Sequence, residues 1–182
     1  MKILAFGASN SANSINARLA HHAADRVAGR LGDDATVDTL HLSDFDMPVY
    51  SKERQAEGFP PPAQAFLDRI AAADGLVISF AEFNHSMTSA FRNVLDWSSR
   101  IERRVYQGKP VLALSTAPGG RGGISALEHA VAGIPRQGGE VVATFSLPRF
   151  AETFGSDGIT EPDLAQGLAT AVDAFADRLG RN

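Results

Sequence analysis

Apolar and polar positions follow two different periods along this chain. Short runs of apolar residues predict five β-strands, at residues 2–8, 35–42, 75–80, 109–116 and 140–147. After each run, apolar residues recur at every third or fourth position, and this period predicts helices at residues 14–31, 62–74, 88–104, 125–131 and 162–179. In the first of these helices Ile15, Leu19, Ala23 and Val27 fall on one stripe. The chain therefore alternates between strands and amphipathic helices.

This alternation predicts an α/β fold in which helices cover both faces of a doubly wound parallel sheet. No repeat, low-complexity tract or linker divides the chain, so we expect a single domain over residues 1–182. One segment breaks the regularity: residues 43–62 are rich in Pro and charged residues. Irregular segments of this length are usually lids, binding loops or flexible segments, and we predict a lid that shapes the substrate pocket.

Composition narrows the chemistry. The chain has no cysteine, which excludes disulfides, a thiol nucleophile and a cysteine-ligated metal, so any redox chemistry must come from a bound cofactor. The net charge of −4 argues against nucleic acid as a partner, because phosphate backbones need a basic surface. No apolar run has the length of a membrane span, and the N-terminal apolar run is too short for a signal peptide. We therefore expect no membrane association and a cytoplasmic location.

The loop after the first strand is the most unusual stretch. Ligands bind beyond the carboxyl ends of the strands in open parallel sheets, and here six of the eight residues from Ser9 to Asn16 are Ser or Asn. A helix N-terminus with hydroxyl and amide donors suits a phosphate, which predicts contacts from Ser9, Ser11, Ser14 and Asn16. A capped helix with a polar turn is the alternative. Neither the P-loop nor the dinucleotide-binding pattern is present.

The loop after the third strand, AEFNHS, carries Glu82, Phe83, Asn84 and His85. Its amide and backbone groups suit the polar edge of a flat heterocycle, and Phe83 offers apolar area. The alternatives are a His85 bonded only to backbone and a Phe83 in the core.

The loop after the fourth strand, APGGRGG, contains four glycines between Gly119 and Gly123. Glycines let the backbone approach a ligand closely with its N–H groups exposed. A flexible connection to the next helix is the alternative.

Together these stretches resemble one family. The residues Ser9-x-Ser11-x-x-Ser14-x-Asn16 with Leu19-Ala20 resemble the GSxRxxSxNxxLA motif of NAD(P)H-dependent FMN reductases. The segment AEFNHSMTSAFRNVLDWSSR resembles their PEYNxSxPxxLKNxIDWxSR, and STAPGGRGG resembles their SxSPGGxGG. The resemblance implies a flavodoxin-like sheet with strand order 2-1-3-4-5 and FMN as the cofactor. It implies phosphate contacts from Ser9, Ser11, Ser14, the backbone of Ile15 and Asn16, and flavin contacts from Glu82, Phe83, Asn84, His85, Ser115, Gly119 and Gly120.

The chain departs from the family motifs at three of these positions. Ser11 stands where the family often has Arg, so one positive charge near the phosphate is lost. Ala81 replaces a proline, and Phe83 replaces a tyrosine and so lacks its hydroxyl.

The activity that the resemblance implies is hydride transfer from NAD(P)H to flavin N5, followed by reduction of a quinone, a free flavin, an azo compound or a metal oxyanion such as chromate. That transfer requires no side-chain acid or base, so no catalytic residue is predicted. Glu128-His129 lacks the second histidine of the HExxH motif, so no metal site is predicted. The resemblance also implies a homodimer or homotetramer. Three alternatives stay open: a flavodoxin-type electron carrier, a flavin-binding regulator, and a hydrolase with Ser9 as its nucleophile.

Overall fold

The computed structural model describes residues 1–181, and five parallel strands form its central sheet. The strands are β1 (Lys2–Gly7), β2 (Thr36–Thr39), β3 (Gly75–Phe80), β6 (Pro110–Thr116) and β7 (Glu140–Leu147). Their order is β2-β1-β3-β6-β7. In order of appearance among the strands of this sheet, that order is 2-1-3-4-5, so the flavodoxin-like prediction is confirmed.

Helices cover both faces of the sheet. They are α1 (Ile15–Leu31), α2 (Lys52–Ala56), α3 (Pro61–Ala71), α4 (Ser89–Ile101), α5 (Ile124–Gly133), α6 (Phe150–Thr153) and α7 (Pro162–Leu179), with 3₁₀ turns at Leu42–Phe45 and Ile134–Gln137. None of these helices is long and apolar enough to cross a membrane.

Alternation along β1 shows how the two layers arise. Ile3 and Ala5 belong to the core beneath α1 and α7, whereas Leu4 and Phe6 belong to the core beneath α3, α4 and α5. Successive side chains of a strand point to opposite faces, so a strand buried on both faces reads as a continuous apolar run. Because β1, β3 and β6 are buried along nearly their whole length, the sequence made these strands easy to recognise.

Helix α1 begins unusually close to the end of β1. A side chain on Gly7 would collide with the backbone of Asn16 and Ala17, so only glycine allows this approach. The close approach places the first turn of α1 directly beside the carboxyl ends of the strands.

The structure corrects the interpretation of residues 43–62 as an irregular loop. This segment contains a 3₁₀ turn and α2, and α3 already begins at Pro61. Asn93 of α4 donates from Nδ2 to the carbonyl of Met47 at 2.9 Å and accepts at Oδ1 from the N–H of Tyr50 at 2.9 Å. Trp97 Nε1 donates to the carbonyl of Pro48 at 2.7 Å. Residues 47–50 are therefore held against α4 by side-chain hydrogen bonds from Asn93 and Trp97.

The sequence patterns missed two further elements. Residues Glu82–Phe83 (β4) and Ser86–Met87 (β5) pair as an antiparallel hairpin, where a loop was expected. Helix α6 follows directly after β7.

The end of helix α4 also differs from the prediction. The helix ends at Ile101 rather than at residue 104, because Glu102 is extended and its carboxylate accepts the N–H of Arg104 at 2.7 Å.

Candidate functional site

A cleft of about 250 Å³ lies at the carboxyl edge of the sheet, and all three candidate loops contribute to it. Its lining comes from the loop after β1, from the start of the β4–β5 hairpin and from the loop after β6. The lining residues are Ser9, Ser11, Asn13, Ser14, Ile15, Asn16, Ala81, Glu82, Phe83, Thr116, Ala117 and Pro118. Segments more than 100 residues apart in the chain thus form one site, at the edge where open parallel sheets bind their ligands.

The first loop presents backbone N–H groups to this cleft. Ser14 caps α1, with its Oγ accepting the N–H of Ala17 at 3.2 Å, and Ser9 Oγ accepts the N–H of Ser11 at 3.2 Å. Within residues 1–181, the N–H groups of Ile15 and Asn16 have no hydrogen-bond partner. Free N–H groups at a helix N-terminus with no carboxylate side chain on the loop fit the phosphate of FMN.

Asn16 has a structural role besides its predicted phosphate contact, which stays a prediction. Its side chain is buried, and its Oδ1 accepts from Ser79 Oγ at 2.7 Å and from the N–H of Thr116 at 3.1 Å. Its Nδ2 donates to the carbonyl of Thr116 at 3.1 Å. The side chain therefore ties α1 to the ends of β3 and β6, and only the backbone N–H of Asn16 is free for a phosphate.

The second loop is a tight hairpin turn. Asn84 and His85 are its two central residues, both with positive φ (50° and 59°), which is the geometry of a type I′ turn. The His85 side chain is 82% exposed, and its Nδ1 lies 3.8 Å from Glu82 Oε1. Neither Asn84 nor His85 lines the cleft. Asparagine and histidine are among the residues that adopt positive φ most readily, so the turn alone accounts for both. Their predicted flavin contacts stay predictions.

Glu82 and Phe83 do line the cleft, in different ways. The carboxylate of Glu82 accepts hydrogen bonds from the N–H groups of Ser125 at 2.9 Å and Ala126 at 3.2 Å. It therefore satisfies two of the unpaired donors at the N-terminus of α5. Phe83 is 61% exposed, one of few large apolar side chains left open to solvent in the described chain. An exposed aromatic ring on the wall of a cleft fits a flat aromatic ligand.

The third loop lines the cleft with residues that the motifs did not single out, and the predicted flavin contacts of Ser115, Gly119 and Gly120 stay predictions. Ser115 is buried and donates from Oγ to the carbonyl of Gly122 at 2.7 Å, and Gly119 and Gly120 do not line the cleft. The residues that line it are Thr116, Ala117 and Pro118. Their signal in the sequence was position alone, since they directly follow the end of a buried strand.

The comparisons with known proteins bear directly on this cleft. A family model described as NADPH-dependent FMN reductase matches residues 1–151, which include all three loops. The chain belongs to this family. Membership confirms the cofactor class that the motifs implied, FMN with NAD(P)H as the electron donor, at the level of the family.

Among characterised relatives, this member of the FMN reductase family is 35% identical over 130 residues to a 2-hydroxy-1,4-benzoquinone reductase of Burkholderia, covering 71% of this chain and 67% of that protein. It is 35% identical over 92 residues to an NAD(P)H-dependent FMN reductase of Pseudomonas aeruginosa, covering 50% of each chain. It is 38% identical over 85 residues to a quinone reductase of Escherichia coli, covering 46% of this chain and 45% of that protein. The chain thus spans about half the length of the last two relatives.

Solved structures agree on the fold. A flavoenzyme NAD(P)H:(acceptor) oxidoreductase from Paracoccus denitrificans matches with a TM-score of 0.73 at 24% identity, over 99% of this chain and 97% of that one. The apo form of an NADH:FMN oxidoreductase matches with a TM-score of 0.71, over 97% and 89%.

Proposed function

We propose that this protein is an NAD(P)H-dependent FMN reductase that passes electrons to a small-molecule acceptor, in the first place a quinone. The observation that carries the proposal is the single cleft formed by the three loops. The flanking groups match the two ends of FMN: free N–H groups at the start of α1 for the phosphate, and the exposed ring of Phe83 for the aromatic part.

In this proposal the backbone of the first loop binds the phosphate, and Ser9 and Ser11 add hydroxyl donors beside it. Thr116, Ala117 and Pro118 also line the cleft and help to hold the ligand in position. When bound, FMN supplies the redox chemistry by accepting and donating electrons at its ring system. The protein side chains thus bind and orient the ligand and exclude water, and none of them is assigned as an acid or a base.

Phe83 tests the placement of the aromatic part. Removing its ring in Phe83→Ala should weaken FMN binding by roughly two- to twelvefold, because aromatic contacts contribute about 0.5–1.5 kcal/mol. Phe83→Tyr restores the residue common in the family motif and should bind FMN as the wild type does. Flavin fluorescence quenching measures both affinities. Equal affinities in Phe83→Ala and wild type would place the ring away from the flavin.

Quinones are proposed as acceptors because several of the relatives are quinone reductases, among them those of Escherichia coli and Burkholderia described above. Free flavin, an azo compound and a metal oxyanion such as chromate are the further acceptors that the family resemblance suggested. We also propose a single-domain homodimer or homotetramer in the cytoplasm, for which light scattering on the purified protein is the test of assembly.

The deciding experiment is an anaerobic titration of the FMN-reconstituted protein with NADPH and then with NADH, followed in the visible spectrum. We expect the oxidised flavin band to bleach much faster than that of free FMN, and to return on adding benzoquinone. Bound FMN that is not bleached would instead indicate an electron carrier or a regulator. A protein that does not bind FMN at all would overturn the assignment of the cleft, and hydrolysis at Ser9 would then be assayed.

A further inference from the structure

Arg18 lies on the face of α1 that leads to the phosphate end of the cleft. It follows Ser14 by four residues and Ile15 by three, and both of these line the cleft. Side chains three and four positions apart share a helix face, and long side chains lean toward the helix N-terminus. Arg18 therefore shares a helix face with two residues that line the cleft.

Two aromatic rings hold this guanidinium in place. Its Cζ lies 5.0 Å from the ring centroid of Phe150 and 5.3 Å from that of Phe154, within the range of cation–π contacts. The two rings themselves are stacked, with centroids 4.7 Å apart and planes inclined by 14°. These contacts restrain the Arg18 side chain, and a cation–π contact uses none of its N–H donors.

The aromatic pair is anchored to the wall of the cleft. The N–H of Phe150 donates to the carbonyl of Ala117 at 3.2 Å, and Ala117 lines the cleft. The preceding residue, Arg149, donates its N–H to the carbonyl of Gly119 at 3.1 Å. Phe150 thus links Arg18 of α1 to the third loop at the edge of the cleft.

Arg18 also has no acidic side chain as an ion-pair partner in the described residues. Throughout residues 1–181, no carboxylate lies within ion-pair distance of its guanidinium, whereas the neighbouring Arg149 pairs with Glu152 at 3.3 Å and Glu161 at 3.6 Å. The loop that faces the phosphate has no charged residue of its own, since Ser11 occupies the position of the family's arginine. A phosphate in the cleft would therefore find a positive side chain only from outside the loop.

We propose that Arg18 is the cationic contact for a phosphate monoester at this end of the cleft, and that it supplies the charge absent at Ser11. The proposal rests on the proposed function, because it takes the cleft as the nucleotide site. Two phosphate monoesters fit this chemistry: the 5′-phosphate of FMN and the 2′-phosphate that distinguishes NADPH from NADH.

The first arm of the test measures binding without turnover. Arg18→Gln removes the charge, and Arg26→Gln is the matched control, because Arg26 is exposed on the same helix about 12 Å further along. Fluorescence quenching gives the dissociation constants of FMN and of riboflavin, which lacks the phosphate. If FMN is the source, Arg18→Gln should weaken FMN binding about tenfold, leave riboflavin unchanged, and reduce the salt dependence of FMN binding. Arg18→Lys keeps the charge and should recover part of the loss.

The second arm uses reduction of the bound flavin. If the 2′-phosphate is the source, Arg18→Gln should raise the KM for NADPH about tenfold relative to the KM for NADH, so that the preference for NADPH over NADH falls by the same factor. The proposal is overturned if FMN affinity and NADPH selectivity change no more in Arg18→Gln than in Arg26→Gln. A wild-type protein that binds FMN but is not reduced would contradict the proposed function, while the first arm would still decide whether Arg18 contacts the FMN phosphate.

Discussion

At the scale of single residues, Asn16 holds the site together. Its amide satisfies three partners at once, on Ser79 at the end of β3 and on both backbone groups of Thr116 at the end of β6. All of these groups are buried, and buried polar groups without a partner are costly. Asn16 is therefore a positioning residue that keeps the first and third loops at a fixed separation.

The Asn16→Ala substitution should consequently lower the free energy of unfolding by about 2–4 kcal/mol, because it leaves the partners on Ser79 and Thr116 unsatisfied. Urea denaturation measures the loss. Asn13→Ala is the matched control, since Asn13 is exposed in the same loop and should change stability by less than about 0.5 kcal/mol. If Asn16→Ala were as stable as Asn13→Ala and only bound FMN less tightly, Asn16 would be a ligand residue and not a brace.

Glu82 has a similar function on the other side of the cleft. Its carboxylate binds the N–H groups of Ser125 and Ala126, where the helix dipole of α5 favours a negative charge. Glu82→Gln keeps the shape but removes the charge, and we expect it to cost about 1 kcal/mol of stability. Thermal unfolding measures this, with Glu128→Gln on the exposed face of α5 as the control. A larger loss in Glu128→Gln than in Glu82→Gln would contradict this role.

The sequence identified Asn16 and Glu82 as site residues but gave both a ligand role. Their partners lie 100 and 43 residues away along the chain. A pattern in one loop contains no information about which strand end lies beside it, so a side chain that braces two loops and one that binds a ligand look alike.

At the scale of elements, the third loop contains a glycine that the backbone requires and another that it does not. Gly122 has a φ of +61°, its carbonyl accepts from Ser115 and Ser146, and an added Cβ would collide with the Ser146 side chain. Gly120 has open space around it, and its φ is not positive. The sequence attributed ligand approach to Gly119 and Gly120, but the structure gives the stricter requirement for glycine to Gly122.

This contrast gives a paired prediction. Gly122→Ala should destabilise the protein by about 2 kcal/mol or more and weaken FMN binding, because the backbone must shift to admit the methyl group. Gly120→Ala should keep wild-type stability, or gain a few tenths of a kcal/mol from a stiffer unfolded chain. Chemical denaturation and FMN titration of both variants are the measurements. A Gly120→Ala protein that is stable but does not bind FMN would restore the predicted close approach of the ligand at that glycine.

Helix α4 illustrates why the segment from residue 43 to residue 62 was misread. Proline and charge in a sequence predict irregular backbone, and residues 47–50 indeed form no helix or strand. The contacts that fasten them come from Asn93 and Trp97, whose sequence context indicated only a helix with an aromatic on its face. Tertiary hydrogen bonds of this kind have no local signature.

At the scale of the whole molecule, the fold was predictable because its central strands are buried on both faces and its helices have one apolar stripe. The β4–β5 hairpin was not, since strands of two residues are too short to show a period. Strand order came from resemblance to a family and not from periodicity, which specifies elements without their neighbours. The site followed from topology, because the carboxyl edge of a parallel sheet collects the loops after β1, β3 and β6.

The stability of the whole fold should also depend on pH through two histidines of α1. Burial lowers the pKa of His21, and the charge of His41 lowers it further, against a smaller opposing effect of Asp25. Burial likewise lowers the pKa of His22, which packs edge-on against Phe154 at 5.3 Å, and Arg26 adds to this against Asp25. Both histidines are thus harder to protonate in the folded protein than in the unfolded chain.

A lowered pKa means that the unfolded state binds more protons below the ordinary histidine pKa of 6.5, so their contribution to stability is complete above that pH and is lost as the pH falls. The lowered pKa of Asp38 acts only below about 3.8 and does not enter this range. We expect the melting temperature of the wild type to decrease as the pH is lowered from 7.5 to 5.5. The decrease should be smaller in the double variant His21→Gln, His22→Gln. His85→Gln, at an exposed residue, should retain the full wild-type slope. Equal slopes in the double variant and in wild type would show that other groups govern the response to acid.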